Sequence, residues 1–202
     1  MKLGLIADIH EDVDRLRQAL DRLREAGADR LVMLGDVFEM GHRLPETVAL
    51  LRGARVPGVW GNHDYGLCVD PDEEMRARYG PEVIAYMATL TPRWVEGEVL
   101  VQHVEPRGNP EELLDLWLPG VWPPTSEQLA ADFAAFPQRR AFAGHRHCWR
   151  AMTPEGPLPW EGLGPLALPA DRRCVVVVHA VADGWCGLYD AGEDVLTPIR
   201  LD

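Results

Sequence analysis

The sequence predicts an α/β fold with parallel strands joined by helices. Within the first sixty residues, short apolar runs alternate with helical patterns in the order β-α-β-α-β. That order is typical of parallel strands connected by right-handed crossovers. The chain has 202 residues, of which 47% are hydrophobic, enough for one domain with a buried core. We therefore expect a single domain over residues 1–202.

The N-terminal elements follow from the spacing of the apolar residues. The first helix places Leu16, Leu20 and Leu23 on one face and ends before Gly27. The strand segments are short apolar runs that end at polar residues or glycine. The pattern predicts strands at residues 2–7, 30–34 and 56–60 and helices at residues 12–26 and 44–51.

The second half of the chain is less regular. Pro81 suits the first turn of a helix, and Thr125 with Gln128 forms a capping-box signature. The predicted elements are helices at 81–89 and 129–136, a hairpin within 93–104, a strand at 140–143, a long loop at 153–171, and two or three antiparallel strands over 173–201. The turns of the last segment are expected at residues 183–184 and 191–192.

Charge and composition exclude several classes of function. The formal net charge of −12 argues against an extended nucleic-acid surface and against a polybasic membrane patch. The first apolar stretch is broken by Asp8 and resembles no signal peptide, and no apolar run is long enough to span a bilayer. Four scattered cysteines indicate reduced thiols. We therefore expect a cytoplasmic protein that does not bind membranes, and its oligomeric state stays open.

Residues that commonly bind metal ions follow the predicted strands at their carboxyl ends. They are Asp8 and His10, then Asp36, then Asn62, His63 and Asp64, and, after later apolar runs, His103, His145 and His147. In open α/β sheets, ligands bind beyond the carboxyl ends of the strands. These side chains are therefore expected to meet at one edge of the sheet, although they are far apart in sequence.

The residue types indicate which ions would bind. Mixed imidazole and carboxylate ligands suit Mn, Fe, Zn or Ni better than Ca or Mg. Besides His63 and Asp64, seven side chains are available, too many for one tetrahedral ion but suitable for two ions that share a carboxylate, each oxygen facing one ion. Taken alone, a strand-end aspartate is usually a cap and a histidine usually a hydrogen-bonding residue, so only the combination is informative.

The ordered motifs resemble those of the calcineurin-like metallophosphoesterases. They are Asp8-Ile-His10, Gly35-Asp36, Gly61-Asn-His-Asp64, His103 and Gly144-His-Arg-His147. The resemblance spans residues 8–147 and fills all seven metal-ligand positions. It implies a four-layer α-β-β-α sandwich of two mixed β-sheets flanked by helices. It also implies a phosphodiesterase or phosphatase that acts on a small phosphoester or a phosphoprotein.

The resemblance further implies a role for each residue. One divalent ion would be held by Asp8, His10 and His147, a second by Asn62, His103 and His145, with Asp36 between them and Mn the favoured metal. Hydroxide held between the two ions would attack phosphorus in line. His63 would lie near the phosphate and be oriented by Asp64, and Gly61 would permit a tight turn before them.

Three positions depart from the common pattern of the family. Val104 stands where many relatives have glycine, Glu39 where many have Asp or Asn, and Arg146 where threonine is frequent. Arg146 is expected either to contact the phosphate or to face solvent, since arginine suits bidentate phosphate binding.

Two other functions remain open. The chain could be a non-catalytic metal-binding scaffold of the same fold, although such proteins tend to lose a ligand. It could also be a nuclease, which usually has an added DNA-binding region. The segments 105–128 and 153–171 contain Trp117, Trp122 and Trp160, which either shape a substrate cleft or fill gaps in the core or in an oligomer contact.

Overall fold

The computed structural model describes residues 1–118 and 120–202 and contains two β-sheets with helices on their outer faces. The strands are β1 (Lys2–Ile6), β2 (Arg30–Met33), β3 (Trp94–Glu96), β4 (Val99–Val101), β5 (Arg140–Ala143), β6 (Arg150–Thr153), β7 (Gly156–Pro157), β8 (Leu166–Ala167), β9 (Cys174–Val177), β10 (Trp185–Asp190) and β11 (Val195–Arg200). The α-helices are α1 (Val13–Glu25), α2 (Leu44–Gly53), α3 (Tyr65–Cys68), α4 (Glu73–Met87), α5 (Leu113–Trp117) and α6 (Ser126–Ala134), and a 3₁₀ turn spans Val181–Asp183.

Both sheets are mixed. The first has the order β2-β1-β10-β11-β8, in which only β1 and β2 run parallel. The second has the order β3-β4-β5-β9-β6-β7, in which β4, β5 and β9 run parallel. The sheets pack face to face, with Leu5 and Phe142 in one shared apolar cluster. Because side chains alternate across a strand, their neighbours Ile6 and Ala141 point outward.

Helices cover both outer faces. Leu20 of α1, Val48 of α2 and Val83 of α4 pack on the first sheet, and Phe133 of α6 packs on the second. This confirms the expected four-layer α-β-β-α arrangement of two mixed sheets. Among the described residues, no helix is both long and apolar enough to cross a bilayer.

Local signals explain where several elements begin and end. The Asp12 carboxylate accepts the Arg15 N–H at the start of α1, and Gly27 follows its end with a positive φ of 79°. The predicted capping box of α6 is present, with reciprocal bonds between Thr125 and Gln128. The predicted hairpin is formed by β3 and β4.

The predicted strand at residues 56–60 is not a regular strand. Only two isolated parallel bridges form, between Gly58 and Met33 and between Val59 and Thr91. Pro57 has no N–H to donate to a ladder, which limits pairing at this point. The direction of the segment is nevertheless as predicted, so residues after it still reach the carboxyl edge of the first sheet.

Two other predictions are corrected in the middle and at the end of the chain. Helix α4 begins at Glu73, where Asp72 caps it, and the predicted helix from Pro81 is only its second half, after a break at Gly80 with φ 75°. Of the two or three antiparallel strands predicted for 173–201, β10 and β11 pair with each other, whereas β9 lies in the other sheet, parallel to β5 and antiparallel to β6. All four residues of β9 are buried, as is typical of a central strand.

The loop predicted for residues 153–171 also contains structure. Strand β6 precedes it, and the two-residue strands β7 and β8 lie within it at the edges of the two sheets. Strands this short carry almost no periodic signal in a sequence.

Candidate metal centre

The side chains predicted from the strand ends converge at one edge of the sandwich. Donor atoms of Asp8, His10 and His147 lie within 4.8 Å of one another, and so do those of Asp36, His103 and His145. They belong to segments that follow β1, β2, β4 and β5. The arrangement expected of parallel strands is therefore present. We divide the predicted ligands into two adjacent donor sets, and a donor atom of His63 also lies within 4.8 Å of those of His10 and Asp36.

The first donor set contains Asp8, His10 and His147. The Nε2 atoms of the two histidines are 3.0 Å apart, and His147 Nε2 lies 3.7 Å from Asp8 Oδ1. Two imidazole nitrogens at this distance either share a proton or direct their lone pairs at a common point. With a carboxylate beside them, they fit a divalent cation.

The second donor set contains Asn62, His103 and His145. Asn62 Oδ1 lies 2.9 Å from His103 Nε2 and 2.9 Å from His145 Nδ1. His103 is fully buried, and Asn62 is nearly so. A neutral oxygen and two imidazoles that converge in a buried position also fit a divalent cation.

The Asp36 carboxylate lies between the two donor sets. Its Oδ2 atom is 3.8 Å from His10 Nε2 and 3.4 Å from His103 Nε2. Its Oδ1 atom accepts the backbone N–H of His63 at 3.0 Å. The expectation that each oxygen faces one ion is therefore corrected: one oxygen faces both sets, and the other fixes the loop that carries His63.

Hydrogen-bond partners outside the donor sets decide which nitrogen of each histidine faces inward. His103 Nδ1 donates to the Leu34 carbonyl at 2.8 Å, and His147 Nδ1 lies 2.9 Å from Asp183 Oδ2. In both rings this leaves Nε2 directed at the centre. Such outer partners orient the imidazole and raise its basicity as a ligand.

Glu39 is placed as an outer partner of His10, as the Leu34 carbonyl is of His103 and Asp183 is of His147. Its Oε2 atom lies 2.5 Å from His10 Nδ1, at an angle poor for a hydrogen bond, and 3.4 Å from His63 Nδ1. One carboxylate thus contacts both a predicted ligand and the predicted catalytic histidine. The departure noted at residue 39 is therefore part of the site.

We expect Glu39→Gln to weaken metal binding at the first donor set by about tenfold. Loss of an outer partner of a ligand usually lowers metal affinity by about 10- to 100-fold. We expect the low end of this range because the Glu39 side chain is half exposed. Titration with Mn²⁺, followed by isothermal calorimetry, measures the change. Glu46→Gln, which removes a surface carboxylate paired with Arg43, is the matched control. Unchanged binding in the Glu39 variant would contradict the assignment.

The backbone is strained where it carries the ligands. Among the described residues, ten other than glycine have a positive φ, and half of them are predicted ligands: Asp8 (51°), His10 (47°), Asp36 (56°), His145 (68°) and His147 (48°). Left-handed conformations of such residues are uncommon and cost about 1–3 kcal/mol each. Their concentration here, independent of any motif, indicates that the loops are shaped to aim these side chains.

Two motif glycines make room for ligands from other segments. A Cβ at Gly61 would overlap the Asp36 carboxylate, and a Cβ at Gly144 would lie 2.8 Å from Asp8 Oδ2. Gly61 does not have a positive φ, so the expected tight turn is not the reason for it. Glycine is needed there because the Asp36 carboxylate approaches the backbone closely.

Burial and mutual charge shift the proton affinities of the centre. Burial raises the pKa of Asp8 to about 8. Burial alone would lower the pKa of His103, but the Asp36 carboxylate raises it to about 10. In turn His103 holds the pKa of Asp36 below its ordinary value, against the effect of burial. Burial, and then the His103 charge, lowers the pKa of His145 to about 4.

Metal binding is expected to release protons, because ligands bind in their deprotonated forms. Below pH 8 the metal-free protein keeps protons on both Asp8 and His103, so about two should leave on loading. Affinity should therefore rise with pH, by about tenfold per pH unit for each proton displaced. Calorimetry in two buffers of different ionisation enthalpy counts these protons. Equal affinity at pH 6.5 and pH 8 would contradict this expectation.

His63 and Asp64 lie next to the donor sets but in different environments. The His63 ring is at the rim, with its centroid 4.9 Å from that of His10. Asp64 is fully buried, and its carboxylate accepts the backbone N–H groups of Gly61, Val37 and Phe38 at 2.9–3.0 Å. Asp64 was predicted to orient His63, and its hydrogen bonds reach backbone groups and not the His63 ring. Asp64 fixes the two loops that carry Asp36 and His63 and is a positioning residue.

Arg146 contacts two groups of the protein. Its Nε atom pairs with the buried Glu105 carboxylate, and its Nη2 atom donates to the Gly120 carbonyl at 2.7 Å. Because these groups engage Nε and Nη2, the alternative of a side chain that simply faces solvent is corrected. Arg146 fastens the segment 105–120 to the last histidine motif.

Two residues at the site were not predicted to contribute to it: Glu39 was noted only as a departure and Asp183 only as a turn residue. Trp117 was one of three tryptophans expected either to shape a substrate cleft or to fill gaps. The Trp117 ring lies with its centroid 5.2 Å from that of His63. By contrast, Trp122 and Trp160 pack in apolar clusters of the core. No local sequence signal separates Trp117 from the other two.

Comparison with known proteins agrees with the fold and the site. Residues 1–179 match the calcineurin-like phosphoesterase superfamily domain. An uncharacterized protein of Methanocaldococcus jannaschii is 30% identical over 84 residues, which cover 42% of this chain and 35% of that relative, so the match spans about a third of its length.

Solved structures share the whole fold. A metallophosphoesterase from Sphaerobacter thermophilus has a TM-score of 0.79 at 23% identity and covers 100% of this chain and 89% of its own. A novel archaeal phosphodiesterase has a TM-score of 0.57 at 12% identity, with 100% of both chains covered. At these identities the likeness concerns the fold alone, whereas the family model covers most of the chain. The chain belongs to the calcineurin-like phosphoesterase superfamily.

Proposed function

We propose that this protein hydrolyses small phosphoesters at a centre of two divalent metal ions. The observation that carries the proposal is the position of Asp36 Oδ2, which faces His10 at 3.8 Å and His103 at 3.4 Å. A carboxylate oxygen between two converging donor sets suits a shared ligand. The residues that would hold the ions are Asp8, His10 and His147 on one side and Asn62, His103 and His145 on the other.

The donor chemistry favours some ions over others. Imidazole, carboxylate and amide oxygen together suit Mn, Fe, Zn or Ni, and of these we favour Mn. Two such ions would polarise the phosphate oxygens and lower the pKa of water at the centre. The neutral oxygen of Asn62 keeps the negative charge of the second donor set low, which eases the approach of an anionic phosphate.

The chain's own groups prepare the site for proton transfer. The His63 side chain is about one quarter exposed at the rim, so a substrate can reach it. Its Nδ1 atom is directed at Glu39, and Nε2 is therefore the nitrogen left to give a proton to the leaving oxygen. The bond from the His63 backbone to Asp36 fixes the loop, so the ring and the donor sets keep a constant distance.

An activity panel with defined metals tests the proposal. The substrates are p-nitrophenyl phosphate, bis(p-nitrophenyl) phosphate, nucleotide monoesters and diesters, and a phosphopeptide, each with Mn²⁺, Fe²⁺, Zn²⁺ or Ni²⁺. We expect hydrolysis of at least one small ester that is lost with a chelator and returns with the metal. Tight binding of two ions without turnover of any ester would favour the scaffold function instead, and salt-sensitive cleavage of DNA alone would favour a nuclease.

A further inference from the structure

Trp117 is the aromatic side chain that borders the predicted catalytic histidine from outside the donor sets. Its indole and the His63 imidazole are 5.2 Å apart between centroids and tilted by 46°. Trp117 is 49% exposed, so about half of the side chain is available to a ligand. Exposed apolar side chains are common and alone indicate nothing. The contact with His63 is what separates Trp117 from the exposed leucines of the same segment.

The position of Trp117 is fixed by the motif that carries His63. The Trp60 indole donates to the Pro110 carbonyl at 2.8 Å, and the Tyr65 hydroxyl donates to the Glu111 carbonyl at 2.9 Å. Trp60 and Tyr65 flank the motif at residues 61–64 on both sides. The segment that leads into α5 is therefore bonded to the same short stretch of chain as the catalytic histidine.

Contacts on the C-terminal side of α5 connect the chain to the last histidine motif, at residues 144–147. Arg146 donates to the Gly120 carbonyl and pairs with Glu105, and inside α5 the side chain of Leu116 is fully buried. Contacts before, within and after α5 therefore hold the Trp117 indole beside the metal centre. A rigid aromatic face loses little conformational entropy when a ligand binds to it.

We propose that Trp117 stacks on the nucleobase of a nucleotide phosphoester whose phosphate lies at the metal centre. This inference rests on the proposed function and names its class of substrate. Bases stack on aromatic side chains regardless of sequence because every base has a π face. Such stacking corresponds to roughly 5- to 150-fold in affinity.

The spacing selects a nucleotide over a simple aryl phosphate. Among the described residues, the only ring that pairs with Trp117 is His63, not a ligand histidine. The His63 ring therefore lies between the indole and the donor sets. In an aryl phosphate a single oxygen separates the ring from phosphorus, whereas in a nucleotide a sugar separates the base from the phosphate. The ribose of a bound nucleotide would span the width of the His63 side chain.

The test compares AMP with ribose 5-phosphate, which lacks the base, and with phosphotyrosine, an aryl phosphate. Inhibition constants of the three are measured in competition with a chromogenic phosphoester, using the Mn²⁺-loaded protein. Competition yields a constant whether or not the competitor is itself turned over. We expect AMP to bind at least about fivefold more tightly than ribose 5-phosphate and more tightly than phosphotyrosine.

Variants of α5 assign the preference to the indole. Trp117→Ala should bring the ratio of the AMP and ribose 5-phosphate constants close to one, and Trp117→Phe should retain part of it. Leu114→Ala, which removes a 72% exposed apolar side chain from the same helix, should keep the ratio of the unsubstituted protein. A preference that survives Trp117→Ala, or one absent from the unsubstituted protein, overturns the inference.

Two further outcomes separate this inference from the proposed function. If phosphotyrosine binds more tightly than AMP and the difference depends on Trp117, the ring contact holds but the nucleotide assignment is overturned. If the unsubstituted protein hydrolyses the chromogenic ester but does not prefer AMP, the inference alone fails. If no metal supports hydrolysis of any ester, the proposed function itself fails. Inhibition constants then cannot be defined, and the inference, which rests on that function, fails with it.

Discussion

Asp36→Asn is expected to reduce metal occupancy at both donor sets together. The Asp36 Oδ2 atom faces both His10 and His103, so the substitution removes a charged oxygen that lies between the two donor sets. Loss of an outer partner typically costs 10- to 100-fold in metal affinity, and loss of a shared ligand should exceed about 100-fold. The rate of ester hydrolysis should fall by about 10³-fold or more, because the ions supply several kcal/mol of transition-state stabilisation.

Elemental analysis of the purified variant, together with Mn²⁺ titration, measures this effect. Asp183→Asn is the informative control, because His147 is the only predicted ligand that Asp183 contacts, its other ion-pair partner being His179, so the first donor set alone should weaken. If Asp36→Asn lowers occupancy by one ion and leaves the other at full affinity, Asp36 is not shared. Circular dichroism confirms that the variant is folded.

His63→Ala is expected to slow hydrolysis by about 10²- to 10⁴-fold without loss of metal. The His63 ring lies at the rim of the centre and belongs to neither donor set, although one of its nitrogens lies within 4.8 Å of donor atoms of His10 and Asp36. Removal of the ring therefore removes the proton donor for the leaving oxygen while both donor sets persist. The effect should shrink for esters with acidic leaving groups such as p-nitrophenol, which need no proton.

Steady-state kinetics on two esters of different leaving-group acidity, with metal content measured on the same samples, test this expectation. His42→Ala, which removes an exposed histidine outside the donor sets, is the matched control and should leave both quantities unchanged. A variant of His63 that loses metal would identify the ring as a ligand. One that hydrolyses both esters at the original rate would remove His63 from the catalytic step.

The sequence predicts the ligands because their placement follows from the backbone. Asp8 and Asp36 come directly after apolar runs, and the parallel order of β1 and β2 brings such positions to one edge whatever the side chains do. Even residues 56–60, which form only isolated bridges, deliver Asn62 to the centre because their direction is parallel. The direction and order of the strands follow from local sequence patterns. The division of the ligands into two donor sets came from the resemblance to a known family.

The outer contacts were not predictable in the same way. Glu39, Asp183 and Arg146 act through side-chain contacts with partners from distant segments. Their positions depend on packing and rotamers, which leave no periodic pattern in the sequence. The same holds for Trp117, whose importance depends on a 5.2 Å ring contact with His63. Similarly, the valine-rich β9 was grouped with the antiparallel strands that follow it, because a buried apolar run does not reveal its partner.

Diffraction from crystals of the Mn²⁺-loaded protein, with anomalous data collected at the manganese edge, would show whether two ions share Asp36. We expect two anomalous peaks about 3.5–4 Å apart, with Asp36 between them. One peak should lie beside Asp8, His10 and His147, and the other beside Asn62, His103 and His145. A single peak, two peaks too far apart to share Asp36, or peaks outside these residues would contradict it.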